Sequence, residues 1–317
     1  MLNRRYLRIK VFQTLYAYWQ SDEASPARLE KEMIAGIERT YDLFLALLLA
    51  FGELRHVVQL RMEERRKKHL PTQEDLAPNM RLVEEPLLRA IADSDRLTTE
   101  AARRRVSWVG HQEIFGQMMR AVMADERYIA YMAGEEPTFK QRQAFVSHLF
   151  TEHIANNEAL QDVFEGRSIH WMEELDLAAT MVKRIIEGMR EGGSRTTIEW
   201  SELERAPDEE YAFARTLLQR TIAQGPEHEE AIAARASNWD SDRIAMSDMI
   251  LMKMALTEAR VFEEIPVKVT LNEYIEIAKA YSTPKSKGFI NGVLDKLFVE
   301  LKADGRIRKV GRGLLES

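Results

Sequence analysis

Cysteine is absent from all 317 residues. Disulfides and thiolate-held zinc or iron–sulfur centres are therefore excluded, and the absence fits a cytoplasmic protein. Glycine (15) and proline (9) are scarce. There is no continuous apolar run long enough for a membrane span, so no transmembrane helix is expected. The opening segment MLNRRYLRIKVFQTLYAYW is basic but has no continuous apolar core and no small-residue cleavage site, so it does not read as a signal peptide. Phosphate loops of the GxGxxG or GxxxxGK(S/T) kind are missing, as are HExxH and GxSxG. Without a nucleophile–base constellation, the expectation is a protein that is not an enzyme and needs no cofactor or metal.

The charge is unevenly spread. A net charge of −6 argues against a uniformly basic nucleic-acid binder. Residues 1–20 nevertheless contain Arg4, Arg5, Arg8 and Lys10 and no acid. The tail 302–312 carries Lys302, Arg306, Arg308, Lys309 and Arg312 against Asp304 alone. Basic patches on an acidic body permit specific anion binding without general stickiness.

Apolar residues recur at helical rather than strand spacing, so the chain reads as all-α. A first helix is predicted over about 3–20, with Leu7, Val11, Leu15 and Tyr18 on one face. Its arginines sit at the N-terminal end, where they oppose the helix dipole. That placement fits either a frayed, solvated terminus or a binding role. A second helix is predicted from Ser25 to Arg66, stopped before Pro71. Pro71, Pro78 and Pro86 then suggest a linker. Further helices are predicted over 140–156, 171–190 and 208–236, and another from a cap at Asp240 or Ser241 to about Phe262. Pro266 opens the next, ending near Tyr281, and the last follows Pro284. Their short connections favour antiparallel neighbours. His148 and His153 lie five apart, which on an α-helix puts them on different faces, so with Glu152 they read as surface or partly buried residues rather than a site.

The stretch YSTPKSKGFINGVLDKLF, residues 281–298, joins a turn to a buried helix. Phe289, Val293, Leu297 and Leu301 form its stripe. A helix N-terminus preceded by Lys285, Ser286 and Lys287 suits a phosphate, although a solvated turn fits the same residues. Phe289 is equally readable as core.

Residues 265–297, IPVKVTLNEYIEIAKAYSTPKSKGFINGVLDKL, resemble the C-terminal helices of the bacterial NusB family. The matching features are Pro266, Asn272–Glu273, Lys279 and the run Phe289 through Lys296. RIAMSDMILMKMALTEA, residues 243–259, resembles the preceding helix of the family. The first helix is similar to the family's arginine-rich opening at Arg4, Arg5, Arg8, Gln13, Leu15 and Tyr16. Residues 1–20 and about 208–305 carry the likeness, and the chain is similar to long members of the Bacteroidetes lineage.

The resemblance implies a NusB-like pair of three-helix bundles with an inserted helical region. Residues 1–67 and 206–238 would form the N-terminal bundle, 68–205 the insertion, 239–305 the C-terminal bundle and 306–317 a basic tail. It implies a cytoplasmic transcription antitermination and ribosomal-RNA factor. Such a factor binds boxA-type RNA together with the NusE-type small-subunit ribosomal protein, within the RNA polymerase antitermination complex. Arg4, Arg5 and Arg8 would contact phosphates, Tyr16 would lie near RNA and protein partner, Phe289 would pack on a base, and Asp248 would face the ribosomal protein. Lys285, Ser286 and Lys287 join the RNA set from their position alone, on the expectation that the turn 282–288 lies beside the arginines. The family often has an acid at Lys285 and His-Lys at Lys287–Gly288, which alters the expected base preference. Some members self-associate through the RNA face, so a homodimer is one option. The alternatives are a helical scaffold without RNA binding and, more weakly, the N-terminal domain of an RNA methyltransferase.

Overall fold

The computed structural model describes residues 4–21, 25–166, 171–192, 195–198, 200, 203, 206–236 and 244–315, with the side chains of Glu173 and Arg195 outside that set. The fold class is all-α. In chain order the helices are α1 (Arg4–Gln20), α2 (Pro26–Arg66), α3 (Gln73–Leu76), α4 (Pro86–Ala92), α5 (Asp95–Arg104), α6 (Gln112–Ala124), α7 (Glu126–Ala133) and α8 (Phe139–His148). A π-helical segment, Leu149–Ala155, continues α8. Then come α9 (Glu158–Glu165), α10 (Trp171–Gly188), α11 (Pro207–Ala223), α12 (Gly225–Ala236), α13 (Met246–Val261), α14 (Val267–Tyr281) and α15 (Ser286–Ala303). After α10, two three-residue strands, β1 (Arg190–Gly192) and β2 (Arg195–Thr197), pair antiparallel. The chain divides into two compact units, 1–37 with 206–317, and 38–205; the division falls inside α2.

In the first unit, the expected α1 face of Leu7, Val11 and Leu15 is buried, and the helix packs on α11, α13 and α14. α13 is buried continuously from Ile250 to Ala259. A helix apolar nearly all round belongs at a centre, and α12, α14 and α15 pack against it. The predicted single helix over 208–236 is two helices. Gly225 and Pro226 open the second, where proline lacks the N–H needed to continue the first. The proposed cap at Asp240 or Ser241 lies outside the described residues; α13 itself begins at Met246.

His228 of α12 is buried and its Nε2 lies 3.1 Å from Thr257 Oγ1. Burial, with Arg260 and Lys253 nearby, pushes its pKa down to about 4. The unfolded chain, with an ordinary imidazole, therefore binds more protons between pH 6.5 and 4, and stability falls as pH drops through that window. The expected loss is about 3 kcal/mol at most, at about 1.4 kcal/mol per pKa unit. Urea unfolding of His228→Gln across that range should show a flatter acid limb than the parent.

In the second unit, the middle of α2 is the core. Tyr41, Phe44, Leu45, Leu47, Leu48 and Phe51 are fully buried. Trp108 donates its indole N–H to the Ala46 carbonyl at 2.8 Å, and the Phe51 and Phe150 rings stack at 5.9 Å. This packing explains a departure from expectation. By length and composition α2 passes the test for a membrane span, although its unbroken apolar run, Leu43–Phe51, is short, and 56% of that window is buried inside the fold. The stretch 71–86 is not a free linker either. Asp75 closes a capping box with Thr72 and pairs with Lys68 and Arg65, and Leu82, Val83 and Glu85 are buried.

Candidate nucleic-acid interface

α1 and α14 lie side by side in the same direction. Arg5 pairs with Glu273 through two hydrogen bonds of 2.8 and 2.7 Å. Further along, the Phe12 ring meets Tyr281 at 5.5 Å and Tyr16 at 6.2 Å. The arginine end of α1 thus adjoins the middle of α14, and the Phe12–Tyr16 segment adjoins its end. Eight residues separate Glu273 from Tyr281, a helical rise of about 12 Å. The turn 282–288 accordingly follows from the Tyr16 part of α1 and not from its arginine tip, which corrects the expected juxtaposition.

Arg8 is corrected more strongly. Its side chain is 2% exposed and its Nε and Nη2 donate to Glu258 at 2.7 Å each. Glu258, fully buried, also accepts from Thr270 at 2.9 Å and Tyr274 at 3.1 Å. Burial pulls the Arg8 pKa down, but the Glu258 charge and hydrogen bonds outweigh it and hold the group above the ordinary arginine range. This guanidinium is a core ion pair with no reach to a phosphate. Arg5 is half-buried, and its hydrogen bonds to Glu273 raise its pKa. Arg4 is exposed, stands 5.5 Å from the Phe213 ring centre, and lines a depression with Glu264, Val269 and Arg312.

The turn before α15 is fixed by hydroxyls. Ser282 donates to Asp248 Oδ1 at 2.5 Å, because a carboxylate can only accept. Ser247 and Ser286, at 2.8 and 3.0 Å, must therefore donate to the Ser282 oxygen, and Thr283 donates to Ser286 at 2.8 Å. Asp248 and Ser286 are both buried by this arrangement. The expected roles of Ser286 toward RNA and of Asp248 toward a protein partner are corrected: both side chains hold the turn instead. Replacing Asp248 by Ala should leave Ser282 without its acceptor and cost about 1–3 kcal/mol. Urea unfolding would measure the loss, and faster exchange of the Ser286 amide, bonded to Thr283 O at 3.0 Å, would locate it.

Phe289 is 8% exposed, on the buried stripe with Ile290, Val293, Leu294 and Leu297. Its ring is core, a correction to the expected base contact. Lys285 and Lys287 stand exposed, and among the described residues no ion pair holds either ammonium. Tyr16 is 37% exposed. Lys279 is exposed and forms an ion pair with Glu276 at 2.5 Å. That contact, with the nearby charges of Arg5 and Lys287, lowers the Glu276 pKa. Sequence reasoning missed the part Tyr281 takes here; its signal was a stripe position one residue before the turn.

The surface brought together is thus Tyr16 and Tyr281 with the end of α14 leading into Lys285 and Lys287. Arg4 and Arg5 lie farther along the same helix pair. Rings beside unpaired ammonium groups can stack on bases and attract phosphates.

The NusB family model matches residues 172–298. Its start lies in α10, in the second unit, and it runs through α11–α14 to near the end of α15. Among curated relatives, the transcription antitermination protein NusB of Salinibacter ruber is 48% identical over 103 residues, 32% of this chain and 64% of the relative. The protein of that name from Chloroherpeton thalassium is 47% identical over 85 residues, 27% of this chain and 40% of the relative. That from Natranaerobius thermophilus is 35% identical over 91 residues, 29% of this chain and 66% of the relative. The chain thus spans less than two thirds of each of these relatives. No solved structure gives a significant match. Residues 172–298, which form most of α10, all of α11–α14 and most of α15 among the described residues, carry a NusB family domain.

Proposed function

We propose that the chain is a non-catalytic transcription antitermination factor. It acts in the cytoplasm on boxA-type single-stranded RNA, paired with a NusE-type ribosomal protein in the RNA polymerase antitermination complex. The relatives' names support the antitermination role. The observation that carries the RNA reading is the ring contact of Phe12 with both Tyr16 and Tyr281, which joins an exposed tyrosine to the turn bearing Lys285 and Lys287. Single-stranded RNA is held by stacking on aromatics and by cations along the phosphates. In this reading Arg4, Lys279, Lys285 and Lys287 supply the charge and Tyr16 the stacking face.

A second reading has one observation in its favour. Arg5 and Arg8 are both engaged with carboxylates, as suits a helical scaffold whose RNA surface has been lost. Filter binding of the protein to a boxA-type RNA and to a scrambled RNA, with and without the ribosomal protein, separates the two. The antitermination reading expects preference for the boxA-type strand that rises with the partner. Equal, weak retention of both RNAs in both conditions would leave the scaffold.

A further inference from the structure

Two imidazoles and one carboxylate converge in the second unit. Asp125 caps α7, its Oδ1 accepting the backbone N–H of Arg127 at 2.7 Å and of Tyr128 at 3.3 Å. Its other oxygen, Oδ2, lies 2.7 Å from Nε2 of His148 and 2.7 Å from Nε2 of His153. The two rings meet edge to face, 5.8 Å apart. One donor atom from each of the three residues falls within 4.8 Å of the others.

The expectation that His148 and His153 fall on different helix faces is overturned by the backbone, while their partial burial is as expected. Residues five apart on an α-helix point about 140° apart. Here Leu149–Ala155 is π-helical, with hydrogen bonds reaching five residues along, so His153 returns to the side of His148. Such segments are rare and recur at functional sites. Glu152 is exposed and takes no part in the cluster.

The geometry points to Asp125, His148 and His153 as a site for a divalent transition-metal ion of the zinc class. The donor chemistry fits. Two imidazole nitrogens and one carboxylate oxygen form a three-ligand set that leaves a position for water or a further ligand. A chain without cysteine offers no thiolate ligand. All three side chains are mostly buried yet reach solvent, with 13%, 13% and 16% exposure for His148, His153 and Asp125, so an ion can enter. Burial pushes the Asp125 carboxyl up, but hydrogen bonds from both histidines and two backbone N–H groups outweigh it and keep it ionised. Binding moves each ring proton from Nε2 to Nδ1, leaving the Nε2 lone pairs for the metal. Ligand bonds of about 2.0–2.2 Å set donors roughly 3.3 Å apart in a tetrahedron, so each nitrogen recedes slightly from Oδ2.

One neighbour opposes the ion. Arg127 Nη1 lies 3.1 Å from His148 Nδ1. That nitrogen accepts the guanidinium proton in the metal-free state and cannot do so once it carries its own. The exposed Arg127 must swing aside, which provides a discriminating variant.

The full chain should be titrated with Co2+, following its visible d–d bands, and with Zn2+ by calorimetry. One equivalent should bind. His148→Gln and His153→Gln should each weaken binding by more than about 10- to 100-fold, the loss already caused by changing a residue that merely supports a ligand. Arg127→Ala should tighten it, and His56→Gln, at an exposed histidine elsewhere, should change nothing. Melting of each variant with chelator present checks the fold, and the parent and Arg127→Ala need no change to the ligands. The assignment is overturned if the parent takes up no stoichiometric Co2+, if both glutamine variants bind as the parent does, or if Arg127→Ala weakens binding.

Discussion

Replacing Glu258 by Gln should unfold the first unit about 6–20 °C below the parent. Glu258 is fully buried and receives Arg8 twice, Thr270 and Tyr274. Glutamine keeps the size and one acceptor oxygen but removes the charge, so the Arg8 guanidinium is stranded in the core. Stranding one member of a buried pair costs about 3–5 kcal/mol. A domain of this size loses about 2–4 °C per kcal/mol. Arg8→Met alone should also be costly, because it leaves a buried carboxylate. The double variant Arg8→Met, Glu258→Gln removes both charges and retains an acceptor for Thr270 and Tyr274. It should be more stable than Glu258→Gln alone, a coupling that a thermodynamic cycle reads directly. A melting shift under about 3 °C for Glu258→Gln would show that water reaches the pair.

RNA affinity should fall about 5- to 150-fold in Tyr16→Ala, the equivalent of about 1–3 kcal/mol for one stacked base. Lys285→Ala with Lys287→Ala should act differently. Each phosphate contact to a single strand contributes about 0.7 to the slope of log affinity against log salt. Removing both ammonium groups should flatten that slope by about 1.4, with the loss largest at low salt. All three side chains are exposed, so melting temperatures should hardly move. Phe289→Ala is the contrasting case. Its ring is buried, and its truncation should cost about 3–5 kcal/mol of stability, with RNA binding lost only as folding is lost. If the tyrosine and lysine variants retained parental affinity and slope, the RNA surface assigned to α1 and the 282–288 turn would be wrong.

How much of this was readable from the residues depends on the range of the interaction. α1 and α15 were legible because their apolar stripes run at helical spacing over several turns. The fate of Arg8 was not. Its partner lies 250 residues away, and nothing local separates an arginine bound for the core from one bound for solvent. Arg4 and Arg8 look alike in sequence, and only the fold distinguishes them. Phe289 had two readings, and its register with Val293 and Leu297 pointed to the one observed. The lysines of the turn were placed correctly as exposed groups, but their neighbour on α1 was misjudged. Helix direction, which sets whether Arg5 or Tyr16 adjoins the turn, is a packing outcome. The fold class needed only periodicity; the break at Gly225–Pro226 was written in the residues and overlooked.

The meeting of His148 with His153 depends on backbone register as much as on residue identity. Leu149–Ala155 holds one more residue per hydrogen-bonded loop than an ordinary helical turn. Deleting a single residue there, with both histidines kept, would restore common α-geometry and place the rings four positions apart, still on one side and about one turn along the axis, as they are now. Adding one would send them to different sides. A lineage can therefore gain or lose this pairing through length changes alone, leaving its histidine count untouched.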